Sequence, residues 1–349
     1  MRIFTDFHHS GLLNSLILLF EGRLGHEVYR PIGVEWFENG FWNLYNHPAT
    51  VQQFLGIGSA TPDGSKPLNE VVSNDTFIYH CQDIQTNGTN KAITFDGFMN
   101  TDFDIVIASI PQHIEPFKRL CELHPNKPKL IYQIGNNWNV PSDCPAKNIM
   151  ASAVVGQVQD GFNVVSYHQE FDLALFYPYA PTSKKVIRSF VNCFSLDNLF
   201  KEDWNLFLKV EKSMPDWKFE SFGGQCRDGS ANGEHEVVNF MAGSRYIWHT
   251  KAGGDGYGHV IHNTGAVARP TIVKKQYYVN KLAEGLMIDG KTCIAIDNLT
   301  VDEIINKINH YNEDERYLQL VQNVSDNFRE KVNFSEDAEK IKIFLANLV

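Results

Sequence analysis

Glycines surround one acidic residue in the second half of the chain. Six successive positions hold four glycines, one carboxylate and one aromatic side chain, in the order Gly253, Gly254, Asp255, Gly256, Tyr257 and Gly258. Because glycine has no side chain, such a loop can bend sharply and bring bare backbone against a ligand. If a helix follows the loop, its free N–H groups suit an anion such as a phosphate. The stretch therefore predicts a site for a phosphorylated ligand.

The flanking residues predict the elements that hold this loop. The run that begins at Tyr246 is short, apolar and rich in aromatic and β-branched residues, which favours a buried strand. After the glycines, helical offsets of three and four separate Val260, Ile261, Thr264 and Val267. Arg269-Pro270 ends that helix, and Thr271–Val273 is the next predicted strand. Strand, loop, helix and strand form one repeat of an α/β sheet, whose ligands bind beyond the carboxyl ends of the strands.

The run from Asp255 to Pro270 resembles the donor-site signature of retaining glycosyltransferases of family 4 (group 1), which have the GT-B fold. In that signature an acidic residue precedes a glycine, an aromatic residue and a glycine, and a second acidic residue lies eight positions after the first. Asp255 holds the first position in place of the usual Glu, and Asn263 holds the second. The resemblance implies that Asp255 lies near the donor sugar. It also implies that Asn263 takes the ribose hydroxyls of the nucleotide, with hydrogen-bonding ability but without the charge.

Two weaker matches to the same family lie in the first half of the chain. Gly25–Val28 matches a Gly-His-x-Val segment that follows the first helix, and Asp172, Phe176 and Pro178 match the passage that leaves the first domain. In these glycosyltransferases the first strand also ends in a glycine-containing loop near the donor phosphates. The resemblance therefore makes Gly11 a donor-binding candidate.

The resemblance implies an α/β protein with two Rossmann-like domains that face each other across a cleft. Residues 1–176 are expected to form the acceptor domain and residues 177–334 the nucleotide-sugar domain. Residues 335–349 are expected to form a C-terminal helix that crosses back to the first domain. The length of 349 residues suits this division, since domains commonly contain about 100 to 150 residues.

Polar residues that follow two predicted strands of the first half are expected to face that cleft. Asp6, His8 and His9 follow the first strand, and Gln133 and Asn136 lie at the end of a later one. An unperturbed histidine titrates near neutral pH, so His8 or His9 can act as a general base or bind the acceptor hydroxyl. The alternatives are a helix cap for a histidine, a turn contact for Asp6, and an asparagine-rich turn near Asn136.

The diphosphate partners are less evident. Glycosyltransferases of this kind usually bind the donor diphosphate with an Arg and a Lys in the loop after the strand that opens the second domain. This chain lacks a clear equivalent, and Lys251 and Arg227 are the alternative phosphate partners. Lys251 is favoured because it precedes Asp255 by four residues in the same loop. The alternative for Lys251 is a solvated loop residue.

No metal is expected, and no cofactor besides the nucleotide-sugar co-substrate. His259 and His262 are three residues apart on the predicted helix, but no Asp, Glu or Cys accompanies them at zinc spacing. No Asp-x-Asp motif ends a predicted strand, as it does in cation-dependent glycosyltransferases of the single-domain kind. The sequence therefore predicts a metal-independent enzyme.

Composition narrows the class of protein and its partners. The net charge of −10 argues against broad binding to nucleic acid, which needs clustered Lys and Arg. Six scattered cysteines without a Cys-x-x-Cys pair indicate free thiols in a reducing compartment. No apolar run approaches the ~20 residues that a membrane helix needs. These observations predict a cytoplasmic protein without a membrane span.

The leading hypothesis is a hexosyltransferase-like glycosyltransferase that moves a sugar from a nucleotide-sugar donor to a hydroxyl acceptor. Retention of anomeric configuration follows from the resemblance. The acceptor stays open: a glycan, a small molecule or, without support from the acidic composition, a modified base in DNA. One alternative is a nucleotide-sugar epimerase of the same fold, and another is a catalytically silent relative that binds a sugar nucleotide or a glycan.

Overall fold

The structure is a computed structural model, and the chain divides into two compact units. The described residues are 1–6, 10–31, 35–41, 91–135, 140, 143–153, 161–231 and 233–349. Three predicted site residues, His8, His9 and Asn136, lie outside the described residues. The first unit contains the described residues of Met1–Ser152 and Gln157–Phe171 together with Phe334–Val349. The second contains those of Ala153–Gly156 and Asp172–Asn333.

The first unit is built on a parallel sheet. In chain order its described strands are β1 (Arg2–Thr5), β2 (Glu27–Pro31), β3 (Lys91–Ile93), β4 (Ile105–Ala108), β5 (Lys129–Ile134), β6 (Asn148–Ala151) and β7 (Asn163–Ser166). They lie side by side in the order β3-β2-β1-β4-β5-β6-β7, and each neighbouring pair is parallel. All four residues of β4 are buried and apolar, as expected for a strand that is covered on both faces.

Helices and aromatic side chains complete the core of the first unit. Its helices in this part of the chain are α1 (Ser10–Ile17), which continues as a π-helical turn over Leu18–Arg23, α2 (Glu35–Glu38), α3 (Phe95–Met99) and α4 (Pro111–Leu123). The ring of Phe4 on β1 stacks on Trp36, with 4.7 Å between ring centroids, and meets the edge of Phe98 at 4.8 Å. These contacts fix the inner strand β1, whose carboxyl end carries Asp6.

The second unit has its own parallel sheet. Its strands are β8 (Val186–Ser189), β9 (Lys218–Ser221), β10 (Tyr246–His249), β11 (Thr271–Val273) and β12 (Cys293–Ala295). They lie in the order β12-β11-β10-β8-β9, and each neighbouring pair is parallel. The helices of this unit are α5 (Lys201–Ser213), α6 (Gly233–Ala242), α7 (His259–Ala266), α8 (Val301–Asn312) and α9 (Asp314–Lys331). Two 3₁₀ segments, Lys275–Tyr278 and Leu282–Leu286, follow β11.

The glycine-rich stretch connects the central strand β10 to α7. Because β8, β10 and β11 are parallel, their carboxyl ends lie at one edge of the sheet, and the loop leaves β10 at that edge. Gly258 precedes α7 with a φ of 80°, a left-handed conformation that glycine adopts without cost. At Gly265 a side chain would collide with the ring of Phe328 on α9, so glycine lets these helices pack closely. The predicted order of strand, glycine loop, helix and strand is confirmed.

The last helix, α10 (Phe334–Ala346), belongs to the first unit. Its buried apolar residues Ala338, Ile341, Phe344 and Leu345 join the core of that unit. Asp337 of this helix accepts a hydrogen bond from the backbone N–H of His168 and lies 2.7 Å from its ring Nδ1. The observed divisions of the chain fall at Phe171/Asp172 and at Asn333/Phe334. In the described part of the chain, no helix has both the length and the apolar character needed to cross a bilayer.

Candidate active site

Asp255 is the centre of the loop that follows β10. Its Oδ2 accepts hydrogen bonds from Nε2 of His249 at 2.5 Å and from the hydroxyl of Tyr278 at 3.1 Å. Its Oδ1 lies 2.5 Å from the ammonium group of Lys251. The side chain of Asp255 is 13% exposed, whereas that of His249 is 1% exposed. Donors from β10, from the loop and from the segment after β11 thus converge on one carboxylate.

These donors set the protonation state of Asp255. Burial by itself would raise the pKa of the carboxyl group, but His249 and Lys251 outweigh burial and hold that pKa well below its usual range. Burial and the charge of Asp255 raise the pKa of Tyr278 well above its ordinary value, so its hydroxyl keeps the proton that it donates. Since Asp255 is ionised at neutral pH, His249 donates through Nε2–H. Its Nδ1 is buried and has no hydrogen-bond partner among the described residues.

Lys281 contacts the backbone of the same loop. Its Nζ donates to the carbonyl oxygen of Asp255 at 2.8 Å and to that of Gly253 at 3.4 Å. The ammonium group also lies 5.5 Å from the ring centroid of Tyr278, within cation–π range. Burial lowers the pKa of Lys281, Asp255 opposes that effect, and the like charge of Lys251 adds to it. No ion pair between this ammonium and a carboxylate occurs within the described residues.

The contacts of Lys281 explain why the loop needs glycine at one particular position. Gly254 has a φ of 71°, and a Cβ there would lie 2.1 Å from the carbonyl oxygen of Tyr277 and 2.4 Å from Nζ of Lys281. Gly253 has a similar φ of 76°, but a Cβ there would meet no atom within 4 Å. Gly253 is therefore required only for its backbone conformation, whereas Gly254 is required for both conformation and space.

Tyr257 packs inside the unit. It is 2% exposed, and its ring stacks on that of His262 with 4.0 Å between centroids. The ring of His259 meets Tyr257 edge-on at 5.0 Å, and Nδ1 of His262 lies 3.0 Å from the carbonyl oxygen of Gly258. The predicted donor-binding aromatic residue thus connects the loop to the first turn of α7.

Among the described residues no three His, Cys, Asp or Glu side chains form a group that could hold a metal ion.

Asn263 lies on α7, one turn after its start. The residue is half-buried, and its Oδ1 is fully buried without a hydrogen-bond partner among the described residues. A buried acceptor that is left unpaired costs about 1–3 kcal/mol, so a donor group on a ligand would stabilise it. The position can therefore accept a hydrogen bond from a hydroxyl group.

Arg227 has protein partners away from this loop. It follows β9 at the edge of the sheet, and β8 lies between β9 and β10. Its guanidinium donates to Glu211 at 2.8 Å, to Asp228 at 3.0 Å and to the carbonyl oxygen of Phe219 at 2.7 Å. These contacts occupy the side chain that the sequence offered as an alternative phosphate partner.

In the first unit, Asp6 and Gln133 are buried at strand ends and bonded to other protein groups. Asp6 accepts hydrogen bonds from the backbone N–H and hydroxyl of Ser109, and it lies 2.8 Å from Nδ1 of His113. Burial by itself would raise the pKa of Asp6, but the hydrogen bond and charge of His113 and the hydrogen bonds of Ser109 outweigh burial, so the net shift of the pKa is downward. Gln133 donates through Nε2 to Ser152 and to the hydroxyl of Tyr167, both at 3.0 Å.

The two remaining predicted glycines lie at the expected places in the chain. Gly11 is in the first turn of α1 and is half-buried, and Gly256 is half-buried in the loop after β10. Neither position by itself identifies a ligand.

The sequence patterns did not indicate Tyr278, Lys281 or His249 as partners of the loop. Tyr278 and Lys281 follow Asp255 by more than twenty residues and lie after the neighbouring strand β11. Because neighbouring parallel strands end at the same edge, a lysine and a tyrosine after β11 were the available signal. The 3₁₀ segments that turn these side chains back toward the loop have no clear sequence pattern.

Solved structures resemble the whole chain, although the sequence matches no protein-family model and no curated protein. HepE from Anabaena, in complex with UDP and glucose, has a TM-score of 0.63 at 12% identity, with 100% of both chains covered. A glycosyltransferase from Rickettsia africae has a TM-score of 0.59 at 11% identity, covering 100% of this chain and 99% of that one. The pneumococcal O-GlcNAc transferase GtfA, in complex with UDP and GlcNAc, has a TM-score of 0.55 at 11% identity, again with 100% and 99% covered.

These likenesses extend over the full length of each chain and therefore concern both units. At 11–12% identity they show a shared fold. The protein has the GT-B fold, with two Rossmann-like parallel sheets. The fold class predicted from the sequence resemblance is confirmed.

Proposed function

We propose that this protein is a hexosyltransferase-like glycosyltransferase that moves a sugar from a nucleotide-sugar donor to a hydroxyl acceptor. The observation that carries the proposal is the cluster of Asp255, His249, Lys251 and Tyr278 at the carboxyl edge of the second sheet. The full-length likeness to glycosyltransferases solved with UDP and a sugar supports the same ligand class. Such sheets bind ligands at this edge.

The diphosphate of the donor is proposed to lie against the glycine loop and Lys251. When the bond between the sugar carbon and the phosphate oxygen breaks, its electron pair stays on the diphosphate as negative charge. The ammonium of Lys251 and the backbone N–H groups at the start of α7 are proposed to stabilise that charge, whereas the N–H of Gly254 donates to the carbonyl oxygen of Lys251 at 2.7 Å. Because the protein itself supplies this positive charge, we propose a reaction that needs no metal ion.

We propose roles for Asp255 and Asn263 that their surroundings in the structure support. Asp255 holds Lys251 and the loop in place, and its Oδ1, which accepts from Lys251, retains a lone pair for a sugar hydroxyl. Asn263 presents an unpaired buried oxygen that suits a ribose hydroxyl. We propose retention of anomeric configuration on the basis of the signature that these two positions resemble.

The acceptor is proposed to bind to the first unit. Asp6 and Gln133 are already hydrogen-bonded within it, so they are proposed to shape the strand ends rather than to contact the acceptor. His8 or His9 stays the predicted proton acceptor, with Asn136 as a predicted cleft residue and Gly11 as a predicted donor contact. The acceptor itself is proposed to be a hydroxyl compound.

A two-stage experiment tests the proposal. In the first stage, a panel of nucleotide sugars and nucleoside diphosphates is screened for thermal stabilisation, since ligand binding raises the melting temperature by mass action. We expect stabilisation by at least one nucleotide sugar and by its parent nucleoside diphosphate. A panel without any stabilising compound would contradict the proposal.

In the second stage, the stabilising donor is incubated with and without glycan and small-molecule acceptors, in buffer that contains EDTA. We expect release of the nucleoside diphosphate together with a new glycoside, and the coupling of its anomeric proton reports the configuration. A new sugar nucleotide formed without any acceptor would indicate an epimerase. Binding without turnover would indicate a silent relative. Loss of activity in EDTA would contradict metal independence.

A further inference from the structure

Lys281 is a cation whose charge no carboxylate neutralises in the described structure. Its ammonium is held by the carbonyl oxygens of Asp255 and Gly253 and by the face of the Tyr278 ring. These partners place the charge against the loop but carry no negative charge of their own. The space that a Cβ of Gly254 would fill lies 2.4 Å from Nζ, so the ammonium sits directly beside the loop backbone.

Two other cations at this edge of the sheet are already paired with carboxylates. Lys274, directly after β11, contacts Asp203 at 2.5 Å, and Arg227, after β9, contacts Glu211 and Asp228. The segment 190–200, which follows β8 at the same edge, contains no Lys or Arg. An anion that approached the glycine loop would therefore meet Lys281 as a cation without a carboxylate partner.

The charges around the loop do not cancel. Asp255 contributes one negative charge, and Lys251 and Lys281 contribute one positive charge each, which leaves one positive charge beyond what Asp255 neutralises. Lys251 shares its charge with the carboxylate that it contacts, so the excess resides mainly at Lys281. At the neighbouring Gly253 no atom lies within 4 Å of the position of a Cβ, so the loop backbone there leaves space for a ligand.

We propose that Lys281 binds the diphosphate of the donor together with Lys251, in place of cations in the loop after β8. The inference rests on the proposed function. Lys281 supplies the positive charge that Asp255 does not neutralise. Its flexible four-carbon side chain lets Nζ exchange a backbone carbonyl oxygen for a phosphate oxygen. Because the departing diphosphate gains negative charge, this contact is stronger for the product than for the intact donor.

The test compares UDP with uridine in calorimetric titrations, because the two ligands differ only in the phosphates. Lys281→Gln removes the charge but keeps a hydrogen-bond donor for the loop carbonyls, and Lys281→Arg keeps the charge. The matched control is Lys291→Gln, since Lys291 is exposed and precedes β12, at the opposite edge of the parallel sheet. Melting temperatures of all variants report whether the unit stays folded.

We expect the affinity for UDP to fall about tenfold to hundredfold in Lys281→Gln, the size typical of a lost charged hydrogen bond. The affinity for uridine should stay within about twofold of the wild type, and Lys281→Arg should restore most of the UDP affinity. Unchanged UDP binding in Lys281→Gln would overturn the inference. An equal loss for UDP and uridine would also overturn it, because it would assign Lys281 a structural role in the loop.

The two proposals fail in different ways. If the wild type binds neither UDP nor any other nucleoside diphosphate of the panel, the proposed function fails and the role of Lys281 fails with it. If the wild type binds and the charge at position 281 makes no difference, only the role of Lys281 fails. If Lys281→Gln is unstable, Lys281→Met and Lys281→Arg are compared at matched melting temperature, and equal UDP affinity in both would overturn the inference.

Discussion

Each unit of the molecule carries an aspartate that contacts a histidine at the carboxyl end of an inner strand. In the first unit, Asp6 follows β1 and lies 2.8 Å from Nδ1 of His113. In the second, Asp255 follows β10 and lies 2.5 Å from Nε2 of His249. Both carboxyl groups have a lowered pKa, although burial acts against that direction in both. The two pairs are therefore alike in local chemistry, although Asp6 and His113 are 107 residues apart in the sequence and His249 and Asp255 only six.

Their surroundings differ. Asp6 is 3% exposed, and its remaining hydrogen bonds come from Ser109, a neutral residue of the adjacent strand end. The loop around Asp255 contains four glycines, and two lysines contact it. The first pair is closed on itself, whereas the second carries excess positive charge beside accessible backbone. An aspartate at a strand end thus becomes a site only where its neighbours leave charge and space for a ligand.

Asparagine at position 255 would give the largest effect on activity. Asp255→Asn removes the charge that holds Lys251 and the loop, and we expect kcat/KM for sugar transfer to fall about 100-fold or more. The matched control is Asp326→Asn, since Asp326 is 58% exposed on α9 and pairs with Arg329 there. The control should retain wild-type turnover. Full activity in Asp255→Asn would remove Asp255 from the mechanism.

Alanine substitutions at Gly253 and Gly254 distinguish the need for space from the need for a left-handed backbone conformation. Gly254→Ala places a Cβ against the carbonyl oxygen of Tyr277 and against Lys281, so the loop must move. We expect UDP affinity to fall about tenfold or more, as for a lost charged contact. Gly253→Ala meets no atom and adds only a left-handed alanine, at a cost of about 1 kcal/mol. Equal UDP affinity in the two variants would show that the contact at Gly254 is unimportant for binding.

In the first unit, the corresponding substitution at Asp6 is expected to lower stability rather than UDP affinity. Asp6→Asn weakens buried hydrogen bonds to Ser109 and His113, and we expect the free energy of unfolding to fall by about 1–3 kcal/mol. UDP affinity of the folded variant should stay within about twofold of the wild type, because Asp6 is engaged within its own unit. Denaturant unfolding and calorimetry measure the two quantities. A loss of UDP affinity without a loss of stability would reverse the assignment.

The pH dependence of the unfolding free energy provides a second test of the role of Asp6. The pKa of Asp6 is lower in the folded protein than the unfolded value of about 3.9. The ionised carboxylate therefore stabilises the folded state above that value, and the contribution is lost as the pH falls through the folded pKa. We expect the wild type to lose more unfolding free energy than Asp6→Asn as the pH is lowered from about 5 toward 2. Parallel pH dependences would contradict a stabilising role for the ionised carboxylate.

Asn263 should give the smallest effect. Asn263→Ala removes one acceptor for a ribose hydroxyl, and we expect UDP affinity to fall about fivefold, equivalent to about 1 kcal/mol. The wild type should bind UDP more tightly than 2′-deoxy-UDP or 3′-deoxy-UDP, and in the variant the corresponding difference should shrink. An undiminished preference for the ribose hydroxyls would exclude the proposed contact.

The sequence predicts those parts of the fold and the site whose residues lie close together along the chain. The run 246–273 contains its strand, loop, helix and next strand within one segment, so local patterns predicted them and the fold resemblance followed. Lys281 and Tyr278 reach the loop only through the pairing of β10 with β11 and the 3₁₀ turns after it, which local patterns do not encode. The sequence placed both Asp6 and Asp255 at a ligand cleft, and only their burial and hydrogen-bond partners in the structure distinguish them.

Tyr257 and Arg227 were predicted from the sequence as donor-binding residues, but the structure shows that both contact other protein groups. Both have residue types that suit a donor site, and both lie in or near glycine-rich loops. In the structure the ring of Tyr257 packs on His262, and the guanidinium of Arg227 contacts two carboxylates. Residue type predicts what a side chain can bind, whereas competition from other protein groups decides whether it is available.

Hydrogen–deuterium exchange of the wild type with and without UDP tests the central claim most directly, once thermal stabilisation has shown that UDP binds. The account predicts that UDP slows exchange in peptides that cover 250–263 and in those that contain Lys281. Protection confined to other segments, with the exchange of 250–263 unchanged at saturating UDP, would contradict the claim that the loop around Asp255 holds the diphosphate.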